Sequence, residues 1–391
     1  MLMLNLKKFQ EAAEVRDELK SWLLDKAFPI WWEQGADHAL GGFHEKIDQS
    51  GQAVNLLRRG RVQPRQIYSF AIAKEMGWTG PALQAVRHGL DFLLTYYPLP
   101  AGGYRTLVAP GGAPADDFIS LYDQAFILFA LASAHRVLGR EAGLEARAVE
   151  LRDWLRSSRA HPRAGFEETA PPTLPLKSNP HMHLFEASLA WVEAGGDGHW
   201  QTMADEIAEL ALTRFIDPRT GVLREYFDAD WKPIPGDEGR LFEPGHQFEW
   251  AWLLLRWGQA KGRQDAMDAA FRLIAIGETH GIDPVRGVAF NSLFDDFTVH
   301  DFQARLWPQT ERIKAGVLAA SLTGNADYWR MASAGARGLM KYFSNAVPGI
   351  WWDRLNPDNS FVAEAAPATS LYHIVCAAHE LDVWIEKAIR P

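Results

Sequence analysis

The stretches GGFHEKIDQSGQ at 41–52 and GVLREYFDADW at 221–231 share one form: a glycine, an aromatic or aliphatic residue, then polar and acidic residues running into a turn. Four more copies follow it: GGYRTLVAPGG at 102–112, GFEET at 165–169, GVAFNSLFDDF at 287–297 and GIWWDRLNPDN at 349–359. The anchoring glycines are Gly42, Gly103, Gly165, Gly221, Gly287 and Gly349, spaced 61, 62, 56, 66 and 62 residues apart. A near-constant period of this size is the signature of a repeated supersecondary unit.

Between the copies the apolar residues recur at helical rather than alternating spacing. The spacing predicts helix pairs at 63–77 with 81–97, 118–138 with 142–158, 181–194 with 199–214, 244–261 with 264–279, and 308–322 with 325–344. Segments near 7–27 and 367–387 bring the set to twelve. In 244–261, Phe248, Trp252, Leu255 and Trp257 fall on related turns and Trp250, Ala251 and Leu254 fill the rest; a helix apolar nearly all round is a buried one. An open solenoid would need polar capping repeats, and none is visible. The expectation is therefore an all-α fold, a single (α/α)6-barrel domain over 1–391, with short β-turn or hairpin loops at one end.

Composition narrows the function classes. Apolar residues make up 47% and charged residues 23% of 391, ordinary globular values. A net charge of -9 argues against nucleic acid, which wants a basic footprint. No run of about 18 apolar residues offers a membrane span, and the first residues lack the apolar core of a signal peptide. The lone Cys376 can form neither an intrachain disulfide nor a cysteine-based zinc site. The reading is a cytoplasmic protein without metal or cofactor. Sixteen tryptophans suit both core filling and stacking on sugar C–H faces.

In such a barrel the mouth-side ends of every second helix face a central pocket, so polar residues at those helix starts are the candidates. Arg65, just after Pro64, puts a cation in a first turn, against the helix dipole. Tyr122 and Asp123 interrupt an apolar helix. Asn179 and Pro180 read as N-cap and N1, with His181, His183 and Glu186 following. On a helix, residues two apart face different ways, so at most one of these histidines points inward. His246 and Glu249 share a face, and a carboxylate beside an imidazole suits acid–base work. Arg240, Trp307 and His373 complete the set. Each alone is as readily a structural feature, and together they cluster where a pocket would be. The cluster Arg58, Arg59 and Arg61 leaves an anionic substrate open. There is no phosphate-binding G-x-x-x-x-G-K-[ST] loop, no G-x-S-x-G and no H-E-x-x-H.

The motifs N-P-x-M-H-x-x-E-A at 179–187, E-P-G-H-x-x-E-W at 243–250, W-P-x-x-E at 307–311 and Y-H at 372–373 resemble the N-acylglucosamine 2-epimerase superfamily over essentially the whole chain. The resemblance implies the (α/α)6 barrel and a monosaccharide substrate, with a homodimer open as an assembly. It implies that His246 and His373 are acid–base residues working through a cis-enediol, His373 as the C2/C1 proton shuttle and His246 as the ring-opening partner. Arg65 would hold developing oxygen charge, and Tyr122, Asn179, His183, Arg240, Glu249 and Trp307 would bind or orient the sugar. The run P-A-T-S-L-Y-H resembles the mannose-isomerase branch. The expected reaction is therefore mannose–fructose-type aldose–ketose isomerisation. C2 epimerisation of an N-acylglucosamine or free sugar is the alternative. A glycoside hydrolase or lyase using Glu249 and Glu311, and a non-catalytic sugar-binding protein, are the more distant ones.

Overall fold

The computed structural model describes the backbone of residues 2–389 and the side chains of 9–389; Met1, Arg390 and Pro391, the ends of the 1–391 span, lie outside the described residues. The first arm is helix α1 (Leu2–Trp22), a π-helical turn over Leu23–Ala27, and α2 (Phe28–Glu33). Then come α3 (Val62–Glu75), α4 (Ala82–Tyr96), α5 (Leu121–Val137), α6 (Ala142–Ser158), α7 (Ser178–Ala194), α8 (Gly198–Leu210), α9 (Pro244–Lys261), α10 (Gln264–His280), α11 (Trp307–Thr323), α12 (Ala326–Met340) and α13 (Thr369–Ile389).

Helices α3, α5, α7, α9, α11 and α13 form an inner ring: each packs on the next, and α13 returns to α3. The alternate helices form an outer ring, with α1 closing it against α12 and α13. The expected (α/α)6 barrel is thus the observed one. Burial explains the layering. Every residue of α9 from Pro244 to Leu255 is buried, whereas outer α4 buries one stripe, including Ala85, Val86, Leu90 and Leu93. The core lies between the two rings. Seven of the sixteen tryptophans (Trp31, Trp191, Trp200, Trp231, Trp250, Trp257 and Trp351) are among its largest fully buried side chains, so much of the tryptophan content is packing.

The glycine segments differ from simple hairpins, because most of their short strands pair between repeats. Arg58–Arg59 pairs with Leu107–Val108, Leu176–Lys177 with Tyr226–Phe227, Leu241–Phe242 with Ser292–Phe294, and Ala304–Arg305 with Arg354–Leu355. Lys46–Ile47 pairs with Ala366–Pro367, joining the first segment to the last and closing the mouth as a ring. All six anchoring glycines have φ between +68° and +92°, the left-handed region that only glycine enters at little cost. In five repeats, a residue one or two positions after that glycine is clamped by a side chain in the first turn of the next inner helix. Gln63 bonds both backbone groups of Phe43, Gln124 those of Tyr104, and Gln247 those of Leu223. Gln309 accepts from Ala289 N, and Nε2 of His181 accepts from Phe166 N. Among the described residues, no helix is long and apolar enough to cross a membrane.

Candidate active site

The clamp fixes the rotation of each inner helix, and two residues beyond the clamps lie Arg65, Phe126, His183, Glu249 and Glu311. These side chains reach the barrel axis from successive helices. His373 of α13 joins them: Nδ1 of His373 lies 2.9 Å from Oε1 of Glu311. A cavity of about 130 Å³ there is lined by Arg65, Tyr122, Asn179, His183, Glu243, His246, Glu249, Arg305, Trp307 and His373. Eight of the nine residues to which the resemblance gives a role in the site therefore meet in one place.

Arg240 does not. It reaches outward to Asp295 and Asp296, at 3.0 and 2.7 Å, and these two carboxylates hold it on a half-exposed loop. Asn179 is also placed differently from expectation. Helix α7 begins at Ser178, so Asn179 lies within the helix rather than capping it, and its buried Oδ1 has no partner in the protein. Of the histidine pair, His183 lines the cavity, while His181 is spent on the loop clamp and on Lys177 O.

The two cavity histidines have separate carboxylate partners. Nδ1 of His246 meets Oε2 of Glu225 at 2.9 Å; Glu225 belongs to the fourth glycine segment. The i, i+3 spacing had pointed to Glu249, but that carboxylate turns the other way, 3.7 Å from Nζ of Lys314. Lys314 is fully buried and sits 2.5 Å from Oε2 of Glu311. Glu186 accepts from Tyr372 Oη at 2.6 Å and contacts Nδ1 of His183 at 3.2 Å. Glu225, Glu243, Arg305 and Lys314 were not found by sequence reasoning. The first lies in a loop, and Lys314 lies about two turns past the helix start in a run that reads as an ordinary amphipathic segment. Trp307 lies beside both histidines, its ring centroid 5.0 Å from His246 and 5.7 Å from His373.

The environments push the two imidazoles apart. Burial alone would depress His246, but the carboxylates of Glu225 and Glu243, helped by Glu249, outweigh it and raise the group to about 10. His373 lies well below its ordinary value, through burial and then the charges of Arg65 and Lys314. Its contact with Glu311 is accordingly a neutral N–H donating to a carboxylate, which leaves Nε2 as the basic nitrogen. Burial and the neighbouring Glu311 raise Glu249 well above the carboxylate range. A cationic imidazole thus faces a neutral one across the cavity. Opposed titration of paired groups is how a fold separates an acid from a base.

Two groups of donors, His183 with Glu186 and Glu249, and Glu249 with Glu311 and His373, have ligand atoms within 4.8 Å of one another. They do not fit a metal ion: the Lys314 ammonium already neutralises Glu311, and the Tyr372 hydroxyl and His183 occupy Glu186. The same ammonium between Glu249 and Glu311 removes the pair of free carboxylates that a glycosidase would need.

The sequence matches the model of the N-acylglucosamine 2-epimerase (GlcNAc 2-epimerase) family over residues 41–377. The chain belongs to the N-acylglucosamine 2-epimerase family. A member from Rhizobium meliloti (strain 1021), named mannose-6-phosphate isomerase, is 49% identical over 371 residues, covering 93% of this chain and 96% of that protein. A D-mannose isomerase from Thermobifida fusca is 29% identical over 281 residues, covering 65% and 67%. The solved structure of cellobiose 2-epimerase from Bacillus thermoamylovorans B4167 superposes with a TM-score of 0.85 at 18% identity, covering 95% of this chain and 99% of that one, which shows the shared fold. As a family member the chain is a sugar isomerase or epimerase.

Proposed function

We propose that the protein is an aldose–ketose isomerase of the mannose–fructose type. The observation that carries the reading is the pair of buried histidines of opposite protonation, each with its own carboxylate, next to Trp307 in one polar cavity. The names of the relatives from Rhizobium meliloti and Thermobifida fusca agree with it.

In this mechanism the imidazolium of His246 gives its proton to the ring oxygen and takes up the O1 proton, giving the open-chain aldose and a recharged imidazolium. Nε2 of neutral His373 then removes the proton from C2. The C2–H electron pair becomes the C1=C2 bond of a cis-enediolate, and the carbonyl π pair moves onto O1, where the Arg65 guanidinium stabilises it. The same imidazolium returns the proton to C1 as the O2 proton passes to O1, so that C2 becomes the carbonyl, O1 a hydroxyl, and the product is the ketose. Tyr122, Asn179, His183 and Glu249 hold hydroxyls. A 2-epimerase would use the same cavity and return the proton to C2 from the opposite, His246, side.

Proton NMR with mannose in D2O separates the two. The expected result is fructose, with deuterium at C1 in proportion to exchange of the His373 proton with solvent; a C2-inverted aldose as sole product assigns the epimerase instead. The reading also includes one catalytic domain over 1–391, acting in the cytoplasm on a monosaccharide and free to pair as a homodimer. The net charge of -9 speaks against nucleic acid as a partner.

A further inference from the structure

Aldose–ketose isomerisation has a second proton to move. The hydrogen leaving C2 returns to C1 on His373, but the hydroxyl proton of O2 must reach O1 before C2 can become a carbonyl. His373 is occupied by the carbon-bound proton, and His246 lies against Glu225 with a proton of its own. Arg65 cannot serve, because a guanidinium does not give up its proton in a protein, and the Asn179 amide does not ionise. Glu249 rises from α9, opposite Arg65 of α3 in the inner ring, and turns toward Lys314.

His183 is placed for the task. It is 3% exposed and lines the cavity. Its ring centroid lies 4.4 Å from that of Phe126, and the Arg65 guanidinium lies 4.0 Å from the same Phe126 ring. Tyr122 spans the two: its ring lies 5.0 Å from His183 and its hydroxyl accepts from Arg65. His183 therefore stands beside the cation that holds O1. A cis-enediolate keeps O1 and O2 on the same side of its double bond, so a group beside one of them reaches both.

The tautomer of His183 is fixed from behind. Oε2 of Glu186 lies 3.2 Å from its Nδ1, and Tyr372 Oη donates to the same carboxylate at 2.6 Å. Burial would raise Glu186, but the bond from His183 and the charge of Lys314 outweigh it and bring the group to about 2. An ionised carboxylate only accepts, so Nδ1 carries the hydrogen and Nε2 keeps its lone pair for the cavity. Burial holds the imidazole itself down at about 4, so it is neutral at physiological pH.

We propose that Nε2 of His183 carries the hydroxyl proton of the enediolate from O2 to O1. The inference rests on the isomerase reading of the cavity. The O2–H bond breaks onto Nε2 and O2 keeps the pair. The Nε2 proton then passes to the negative O1, and the imidazole ends as neutral as it began. The O2 pair becomes the C2=O π bond as the C1=C2 pair takes the proton of the His373 imidazolium at C1. While His183 is briefly charged, the carboxylate of Glu186 is its counter-ion. A 2-epimerase needs no such relay, because O1 becomes the carbonyl again and O2 never loses its hydrogen.

The test follows mannose deuterated at C2, in H2O, with the full-length protein and with His183→Gln, whose amide still holds a hydroxyl but cannot pass a proton on. Fructose formation and loss of deuterium from the remaining mannose are read together by NMR. In the variant the enediolate forms and reverts, so kcat for fructose should fall by about 10²-fold or more, while the ratio of C2 exchange to fructose formation rises by about tenfold or more. The isotope effect of the C2 deuterium on fructose formation should shrink toward one, as C–H cleavage ceases to limit. A raised ratio or a shrunken isotope effect supports the relay. A parallel fall of exchange and fructose with the isotope effect retained, or a variant as active as the unsubstituted protein, overturns it and leaves His183 a binding group. His183→Asn gives the same readouts if the glutamine variant does not fold. Failure of the isomerase reading looks different: the unsubstituted protein then yields C2-inverted aldose and no fructose, which removes the step and the proposal with it.

Discussion

The carboxylate of Glu311 is shared between His373 and Lys314: Oε1 lies 2.9 Å from the imidazole Nδ1 and Oε2 lies 2.5 Å from the ammonium. Lys314 is fully buried, and Glu249 is its other neighbour at 3.7 Å. Its charge opposes the burial that would protonate Glu311, and it also disfavours a proton on His373. Lys314 is therefore a positioning residue for a base it never touches. In Lys314→Met, Glu311 and Glu249 lose the ammonium that lies between them. Breaking a buried pair from one side costs about 3–5 kcal/mol, to be read by denaturant unfolding. The informative readout is the pH profile. Activity falls on the acid side as His373 gains a proton, so relief of its depression moves that limb to higher pH. An acid limb that stays in place in the folded variant would show that Lys314 only fills space.

His373→Ala removes the C2 base, and His246→Ala removes the acid. A positioned acid–base group contributes typically about 10²- to 10⁴-fold, and losses of that order in kcat are expected from each. The two separate by assay. The His246 variant should keep exchanging the C2 proton of a sugar supplied in open-chain form, while the His373 variant should not. Full activity in both would overturn the proton-transfer reading.

Glu225 sets the charge of His246, and this fixes a direction for pH effects. A histidine whose folded value is raised contributes stability fully present below its ordinary value of 6.5 and lost as pH climbs through about 10. As the acid, it must also stay protonated, so the alkaline limb of kcat/KM should follow it. Glu225→Gln keeps a hydrogen-bond partner but removes the charge. The limb should move down by at least one pH unit, and stability near neutrality should drop. An unmoved limb would assign it to another group.

The barrel was legible because it rests on repetition: six glycine segments and twelve apolar periods state the topology without any contact being known. The inner-helix residues Arg65, His183, Glu249 and His373 were legible for the same reason, since one helix phase recurs around the ring. What escaped the sequence was pairing across repeats. The partner of His246 is not its helical neighbour Glu249 but Glu225, whose loop the clamp of Gln247 on Leu223 brings alongside. Periodicity places a side chain on a face but says nothing of loops folding over that face. Arg240 failed for the converse reason: it is near His246 in sequence, but Asp295 and Asp296 of the next segment draw it away.

The glycine clamp itself predicts a graded stability effect. At Gly42 φ is +68°, and an added Cβ would lie 2.6 Å from Cγ of Phe92 and 2.9 Å from Oε1 of Gln63. Gly139 has an equally left-handed φ of +84° with nothing within 4 Å. Strain alone, about 1–3 kcal/mol for a non-glycine residue in this region, acts at both. Overpacking of about 1–3 kcal/mol acts only at Gly42. Gly42→Ala should therefore lower the denaturant midpoint markedly more than Gly139→Ala. It should also raise KM, because Gln63 sets the rotation that aims Arg65 into the cavity, whereas Gly139→Ala should leave KM alone. Equal destabilisation by the two substitutions would mean that the ring of Phe92 yields freely and that the clamp does not constrain the helix.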